Sequence, residues 1–527
     1  MITIGQTISK TALCASASIA LFAIATPAMG KDCGDLASLV LTDGKVTAAT
    51  LEPAGNFQEP PSDVPLPPGV AGAAYKDLPD FCRVQVTMTP TKDSDIRVEI
   101  WLPATGWNGK LVGIGNGVWA GQLSYSQMAD PVKRGFAAVT TDTGHEGSGL
   151  TAEWAVGHPE KLVDFGHRAV HLMTVAAKAA IRDYYGTDPR FSYWNSCSTG
   201  GRQGLMAAYR YPDDFDAISA MAPANPMTDL MTQSMWAASV THRTKASALT
   251  PALLSLVHEA AVAACDRDDG TADGLIANPQ ACTFKPAALL CKPGQTETCL
   301  NPDQAAAMQA IYDGVQDPRS GKIILPGWPI GSEVQLAALV MGPAPFPVAN
   351  DYFRLLVHGD DRAWDWSRMD FGEETEAARR FGRDVLDVPP AGLAAFFKRG
   401  GKLLLSHGWT DGLIPATNTL AFNDGLVEAI PIDQRATSLR LFMVPAMDHC
   451  GGGEGAGSFD TLGVIDDWAT TGNAPERIVA TRVASGFPGS PTLPPLSRPL
   501  CVWPKIATYQ GAGDQSDAAN FVCTMPK

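Results

Sequence analysis

Apolar and polar positions follow two different periods along this chain. Short runs that alternate or are wholly apolar predict strands at Arg97–Leu102, Lys110–Ile114 and Phe136–Thr140. From Arg168 to Tyr184 the apolar residues recur at helical spacing. A strand over Phe191–Asn195 and a helix over Thr199–Arg210 come next. Phe215–Ser219, Lys402–Ser406 and Leu439–Val444 read as further strands. This alternation predicts an α/β fold, a mostly parallel sheet with helices on both faces.

The stretch from Pro223 to Gly400 breaks the pattern. It is helical and loop-rich, it carries four cysteines, and it includes the acidic run Phe371-Gly-Glu-Glu-Thr-Glu376. It reads as a domain inserted between two halves of the sheet. The expected organisation is a leader at 1–30, a first catalytic part at 31–222, an insert at 223–400 and a second catalytic part at 401–527. No repeat of fixed period is present.

Composition narrows the function. The chain has 527 residues, 45% hydrophobic and 18% charged, which rules out wholesale disorder. A formal net charge of -15 disfavours nucleic acid and anionic lipid as partners. Residues 1–30 read as a secretory signal: Lys10 is the only charge, Thr11–Ala25 is small and apolar, and Ala28-Met29-Gly30 suits a peptidase. That apolar run is short for a membrane span, and no later one reaches 18 residues, so no membrane association is expected after cleavage.

Beyond Cys14, ten cysteines remain, an even number that suits disulfides in an exported protein. Local spacing suggests Cys265–Cys282, Cys291–Cys299 and Cys501–Cys523, leaving Cys33, Cys82, Cys197 and Cys450. No C-x-x-C pair exists, which weighs against zinc and against a thiol oxidoreductase.

Ser198 lies in Trp194-Asn-Ser-Cys-Ser198-Thr-Gly-Gly-Arg202, where a predicted strand meets a predicted helix. That is the context of a nucleophile elbow, although Ser196 stands where the usual pattern has glycine. A plain helix cap is the alternative. A serine nucleophile needs a base. His449 follows a predicted strand in Val444-Pro-Ala-Met-Asp-His449-Cys-Gly-Gly-Gly453, and Asp411 follows another in His407-Gly-Trp-Thr-Asp411. A carboxylate beside the imidazole would fix its tautomer. His407 and Asp448 stand as alternatives. The order Ser198, Asp411, His449 is that of an α/β-hydrolase. Cys197 precedes the serine and Cys450 follows the histidine, so if Ser198 and His449 touch, the two cysteines are close enough to bond.

This cysteine–serine, aspartate, histidine–cysteine constellation resembles the tannase and feruloyl esterase family. The resemblance spans Cys33 to Cys523 and includes Trp107-Asn-Gly-Lys110, Gly113-Ile-Gly-Asn-Gly117, Thr141-Asp-Thr-Gly-His145 and Arg498-Pro-Leu-Cys501. It implies an α/β-hydrolase core with a large lid and the remaining pair Cys33–Cys82. It also implies a secreted or periplasmic serine esterase acting on small esters of aromatic acids, with ferulate first and gallate or a terephthalate monoester as alternatives. A non-catalytic binding protein on the same fold would not need the full triad with its flanking cysteines.

An oxyanion hole needs two N–H donors. Thr199 is expected to supply one, and Gly117 or Val118 the other. Asp266-Arg-Asp-Asp269-Gly-Thr-Ala-Asp273-Gly-Leu275 gathers carboxylates and glycines that could wrap a hard cation. The resemblance implies structural calcium there, held by the side chains of Asp266, Asp269 and Asp273 and the carbonyls of Thr271 and Leu275.

Overall fold

The computed structural model describes Met1 and residues 30–61, 74–482 and 493–526. The expected leader, Cys14 included, otherwise lies outside the described residues.

Ten strands form the central sheet: β1 (Val40–Leu41), β2 (Gly44–Glu52), β3 (Phe81–Met88), β4 (Ile96–Pro103), β5 (Lys110–Gly113), β6 (Ala137–Thr141), β7 (Phe191–Cys197), β8 (Ala217–Met221), β9 (Lys402–Gly408) and β10 (Leu439–Val444). Their spatial order is β1-β2-β3-β4-β6-β5-β7-β8-β9-β10. Strands β1 to β4 pair antiparallel, and β4 meets β6 antiparallel. From β6 through β5, β7, β8 and β9 to β10 every pairing is parallel. The fold is therefore an α/β-hydrolase core, extended at one edge by an antiparallel ribbon of which the sequence reading names only β4.

Alternation along the strands separates two apolar layers. Leu111, Trp194, Leu403 and Leu405 enter one buried cluster, while Val112, Tyr193 and Leu404 enter the other. Helices α1 (Ala169–Tyr185) and α2 (Thr199–Arg210) cover the first face. Helix α1 is preceded by a short helix over Pro159–Val163 and a wider π turn over Asp164–Arg168.

Between β8 and β9 lies a largely helical insertion. Its main helices are α3 (Met227–His242), α4 (Pro251–Cys265), α5 (Pro302–Asp313) and α6 (Phe371–Leu386). A third apolar cluster holds them together, with Met231, Trp236, Met308, Trp328, Tyr352 and Phe371. Trp119 and Phe165 of the core join the same cluster, so the insertion is packed onto the sheet domain. Arg202 of α2 reinforces that seam: fully buried, it donates to the carbonyls of Gly166 and of Leu386 at the end of α6. Among the described residues, no helix is long and apolar enough to cross a membrane.

Candidate active site

The parallel strands all deliver their C-terminal ends to one crevice, and backbone strain collects there. Val118, Ala120, Thr143, Ser198, Ala222, Ala446 and Cys450 have positive φ without being glycine. Each sits on a loop following β5, β6, β7, β8 or β10. Such conformations cost of order 1–3 kcal/mol each and persist where the surroundings enforce them, commonly at functional sites.

Ser198 is the turn between β7 and α2, with φ 63° and ψ -128°. Its N–H donates to the carbonyl of Met221 (3.0 Å), and its carbonyl accepts from the N–H of Ala224 (3.1 Å), so β8 and the loop after it hold the turn on both sides. The helix starts so close to the strand that a Cβ on Gly200 would lie 2.0 Å from Ser196 Oγ. The loop after β5 approaches equally closely: a Cβ on Gly115 would meet Gly200 Cα at 2.6 Å. Small residues around the serine are thus a packing requirement.

That loop is fixed by side chains the sequence had not singled out. Gln203 of α2 accepts from the N–H of Asn116 and donates to Asn116 Oδ1, both at 3.1 Å. Asn116 Nδ2 donates to the carbonyls of Gln122 and Thr141. Thr199 Oγ1 donates to the carbonyl of Val118 at 2.7 Å, tying the loop to the first residue of α2. The N–H groups of Trp119 and Ala120 are occupied by the carbonyls of Gly149 and Gly117. Those of Gly117 and Val118 have no acceptor among the described residues, and the Thr199 N–H belongs to the unpaired first turn of its helix.

Asp411 is fully buried four residues past His407. Its Oδ1 accepts from the N–H groups of Leu413 and Ile414, both at 2.9 Å. Its Oδ2 accepts from His449 Nδ1 at 2.7 Å. An ionised carboxylate only accepts, so Nδ1 carries the proton, and in the neutral ring Nε2 is the nitrogen with the free lone pair. Burial alone would raise Asp411, but the facing His449 and the hydrogen bonds from His407 and His449 outweigh it. They hold its carboxyl well below the usual carboxylate range. The His449 side chain remains 22% exposed.

The two alternatives are placed differently. Asp448 turns away from His449 and accepts from Thr410 Oγ1 (2.9 Å). Burial pushes it up to about 6. His407 is fully buried beneath Asp411, where no substrate reaches it.

A bond between Cys197 and Cys450, with Cα atoms 5.8 Å apart, joins the serine turn to the histidine loop across 253 residues. The other links are Cys33–Cys82, Cys265–Cys282, Cys291–Cys299 and Cys501–Cys523.

The expected calcium site is corrected by the structure. Asp266 Oδ1 accepts from three backbone N–H groups, those of Asp273, Gly274 and Leu275 (3.1, 2.9 and 3.1 Å). Asp269 Oδ1 accepts from the N–H of Thr271 (3.0 Å), and Thr271 Oγ1 donates to Gln515. Asp273 accepts from the N–H of Leu275 on Oδ1 and pairs with Arg498 through Oδ2. Among the described residues, no group of three or more His, Cys, Asp or Glu side chains is arranged to hold a metal ion. The acids are close in sequence but point into their own turn and toward a buried arginine.

A family model described as "Tannase and feruloyl esterase" matches residues 82–524. The chain is 32% identical to an uncharacterized esterase of Xanthomonas campestris pv. campestris, covering 95% of this chain and 92% of the relative. It is 31% identical to a probable feruloyl esterase B-1 of Aspergillus flavus, covering 94% and 95%. The crystal structure of an esterase from Aspergillus oryzae superposes with a TM-score of 0.83 at 30% identity, covering 93% of this chain and 99% of that one.

Proposed function

The chain belongs to the tannase and feruloyl esterase family and is a serine esterase, and from that premise we propose that Ser198, His449 and Asp411 are its catalytic triad. The observation that carries the assignment is the 2.7 Å contact from His449 Nδ1 to Asp411 Oδ2, on a loop bonded through Cys450 to the residue before Ser198. With Nδ1 engaged, Nε2 is the nitrogen left to accept the serine proton. Ser198 Oγ then attacks the ester carbonyl. Thr199 N–H and a donor from Gly117 or Val118 face the developing oxyanion. His449 returns the proton to the leaving alcohol, and water, deprotonated by the same nitrogen, releases the acid and frees the serine.

The substrate is a small ester of an aromatic acid, and the relatives named feruloyl esterase favour a hydroxycinnamoyl ester. Five disulfides suit an oxidising compartment, extracellular or periplasmic. A fluorophosphonate should label the peptide containing Ser198. Methyl ferulate should be cleaved with higher kcat/KM than methyl gallate or mono(2-hydroxyethyl) terephthalate. Label on another residue would overturn the nucleophile, and preference for the gallate would overturn the acid.

A further inference from the structure

Asp411 carries more than the triad needs. Its Oδ2 lies 2.7 Å from His449 Nδ1 and 3.2 Å from His407 Nε2, so one carboxylate oxygen sits between two imidazoles. His407 is the penultimate residue of β9 and is completely shielded from solvent. Its Nε2 is also 3.1 Å from the carbonyl of Ile414. Both neighbours of Nε2 are acceptors, so that nitrogen carries the proton. On the far side, Nδ1 is 2.7 Å from Thr419 Oγ1, which lies on helix α7 (Ala416–Ala429) and is itself buried. A strand end, the aspartate loop and a helix are thereby cross-linked through one ring.

We propose that His407 is a positioning residue for the esterase reaction, donating from Nε2 to Asp411 so that the carboxylate is locked in the orientation that meets His449. The proposal rests on the triad reading above. Asp411 stands on a short loop after β9, and the N–H groups of Leu413 and Ile414 anchor only Oδ1. Without His407, Oδ2 has one tie, to a histidine that must itself move protons. With it, Oδ2 is held from a rigid strand, and Thr419 fixes the ring that holds it. The charged and titratable groups around Asp411 are His407 from β9 and His449 from the loop after β10. Asp448 in that loop feels its charge, with Glu454 and His258 beyond.

The test compares three variants by kcat, KM and melting temperature, with Ser198→Ala and His449→Ala as controls. His407→Leu fills the space without a donor. His407→Gln keeps an N–H near the place of Nε2. Thr419→Val leaves His407 but frees Nδ1. A 1 Å displacement of a catalytic group can cost about 10²-fold. His407→Leu should therefore lose about 10- to 100-fold in kcat with KM within about twofold. His407→Gln should recover most of that loss, and Thr419→Val should lose several-fold. Wild-type kcat in a folded His407→Leu, or equal losses in Leu and Gln that merely follow melting temperature, would overturn the proposal. If His407→Leu does not fold, wild-type kcat in Thr419→Val overturns it. Inactive controls beside an unaffected His407 variant would refute this inference alone. An active Ser198→Ala would instead refute the triad, and this inference with it.

Discussion

Two regions rich in aspartate and glycine behave in opposite ways. At the ends of β9 and β10, Asp411 is fully buried and faces ring nitrogens of His407 and His449. In the insertion, Asp266, Asp269 and Asp273 stand within eight positions, yet Oδ1 of each accepts from backbone N–H groups and Oδ2 of Asp273 pairs with Arg498. The difference lies in what fixes direction. The catalytic loops leave parallel strands whose ends are set by the sheet. The acidic loop is a 3₁₀ turn over Asp266–Asp269 and the bends after it, free to satisfy its carboxylates locally.

The comparison breaks most sharply at the catalytic end. Ser198→Ala should lose about 10⁶-fold in kcat, and His449→Ala nearly as much, since members of one unit fail together. Initial rates on an aryl ester would show it, and a residual rate above about a hundredth of wild type would contradict the assignment. Asp411→Asn should cost about 10⁴-fold, the loss expected when a histidine is held in the wrong tautomer. Replacing Cys197 and Cys450 together by alanine should lower kcat about 10²-fold in the folded fraction, because the histidine loop loses its tether. It should also destabilise the fold, by at most roughly 5.5 kcal/mol on loop-entropy grounds.

The proposed triad could be read from the sequence because each candidate residue follows an apolar run. Helix Thr199–Arg210 appears with the bounds that its sequence predicts. The conditional link between Cys197 and Cys450 followed from their neighbours. Strand Phe81–Met88 alternates plainly, but β2 is half-exposed along its length, and an edge ribbon of this kind leaves little hydrophobic signal. The Asn116–Gln203 pair and the contact of His407 with Asp411 depend on tertiary approach, which spacing does not encode. The acidic loop shows the same limit from the other side: spacing reports that carboxylates are near one another, not where they point.

Arg498→Met tests the inward-turned acids. The guanidinium pairs with Asp273, lies 4.0 Å over the Phe521 ring and is nearly buried. Removing it leaves Asp273 without its cation, and breaking such a buried pair costs about 3 kcal/mol. Chemical denaturation should show that loss while kcat on the folded enzyme stays within about twofold. A large fall in kcat with unchanged stability would mean the loop serves the chemistry and not the fold.

The smallest effect separates the two regions within one loop. Asp448 stands beside His449 in sequence, but among the described residues only Thr410 donates to it and no cation pairs with it. Burial pushes it up to about 6, partly offset by Thr410, while Asp411 and Glu454 raise it further. The unfolded value is about 3.9. Between those two values the native state holds a proton that the unfolded chain has released. This contribution to stability is complete below pH 4, falls as pH rises through 6, and is level above. A shift of that size corresponds to roughly 2–3 kcal/mol. Asp448→Asn should abolish the slope, matching wild type near pH 4 and exceeding it at pH 7, because the amide oxygen still accepts from Thr410 without burying a charge. Its kcat should stay within about threefold, since Asp411 is the carboxylate that meets Nδ1. Denaturant midpoints for both proteins from pH 4 to 8 measure the first expectation. Parallel curves would show that Asp448 carries no burial cost. A hundredfold fall in kcat would move the orienting role from Asp411 to Asp448 and erase the distinction between the two kinds of carboxylate.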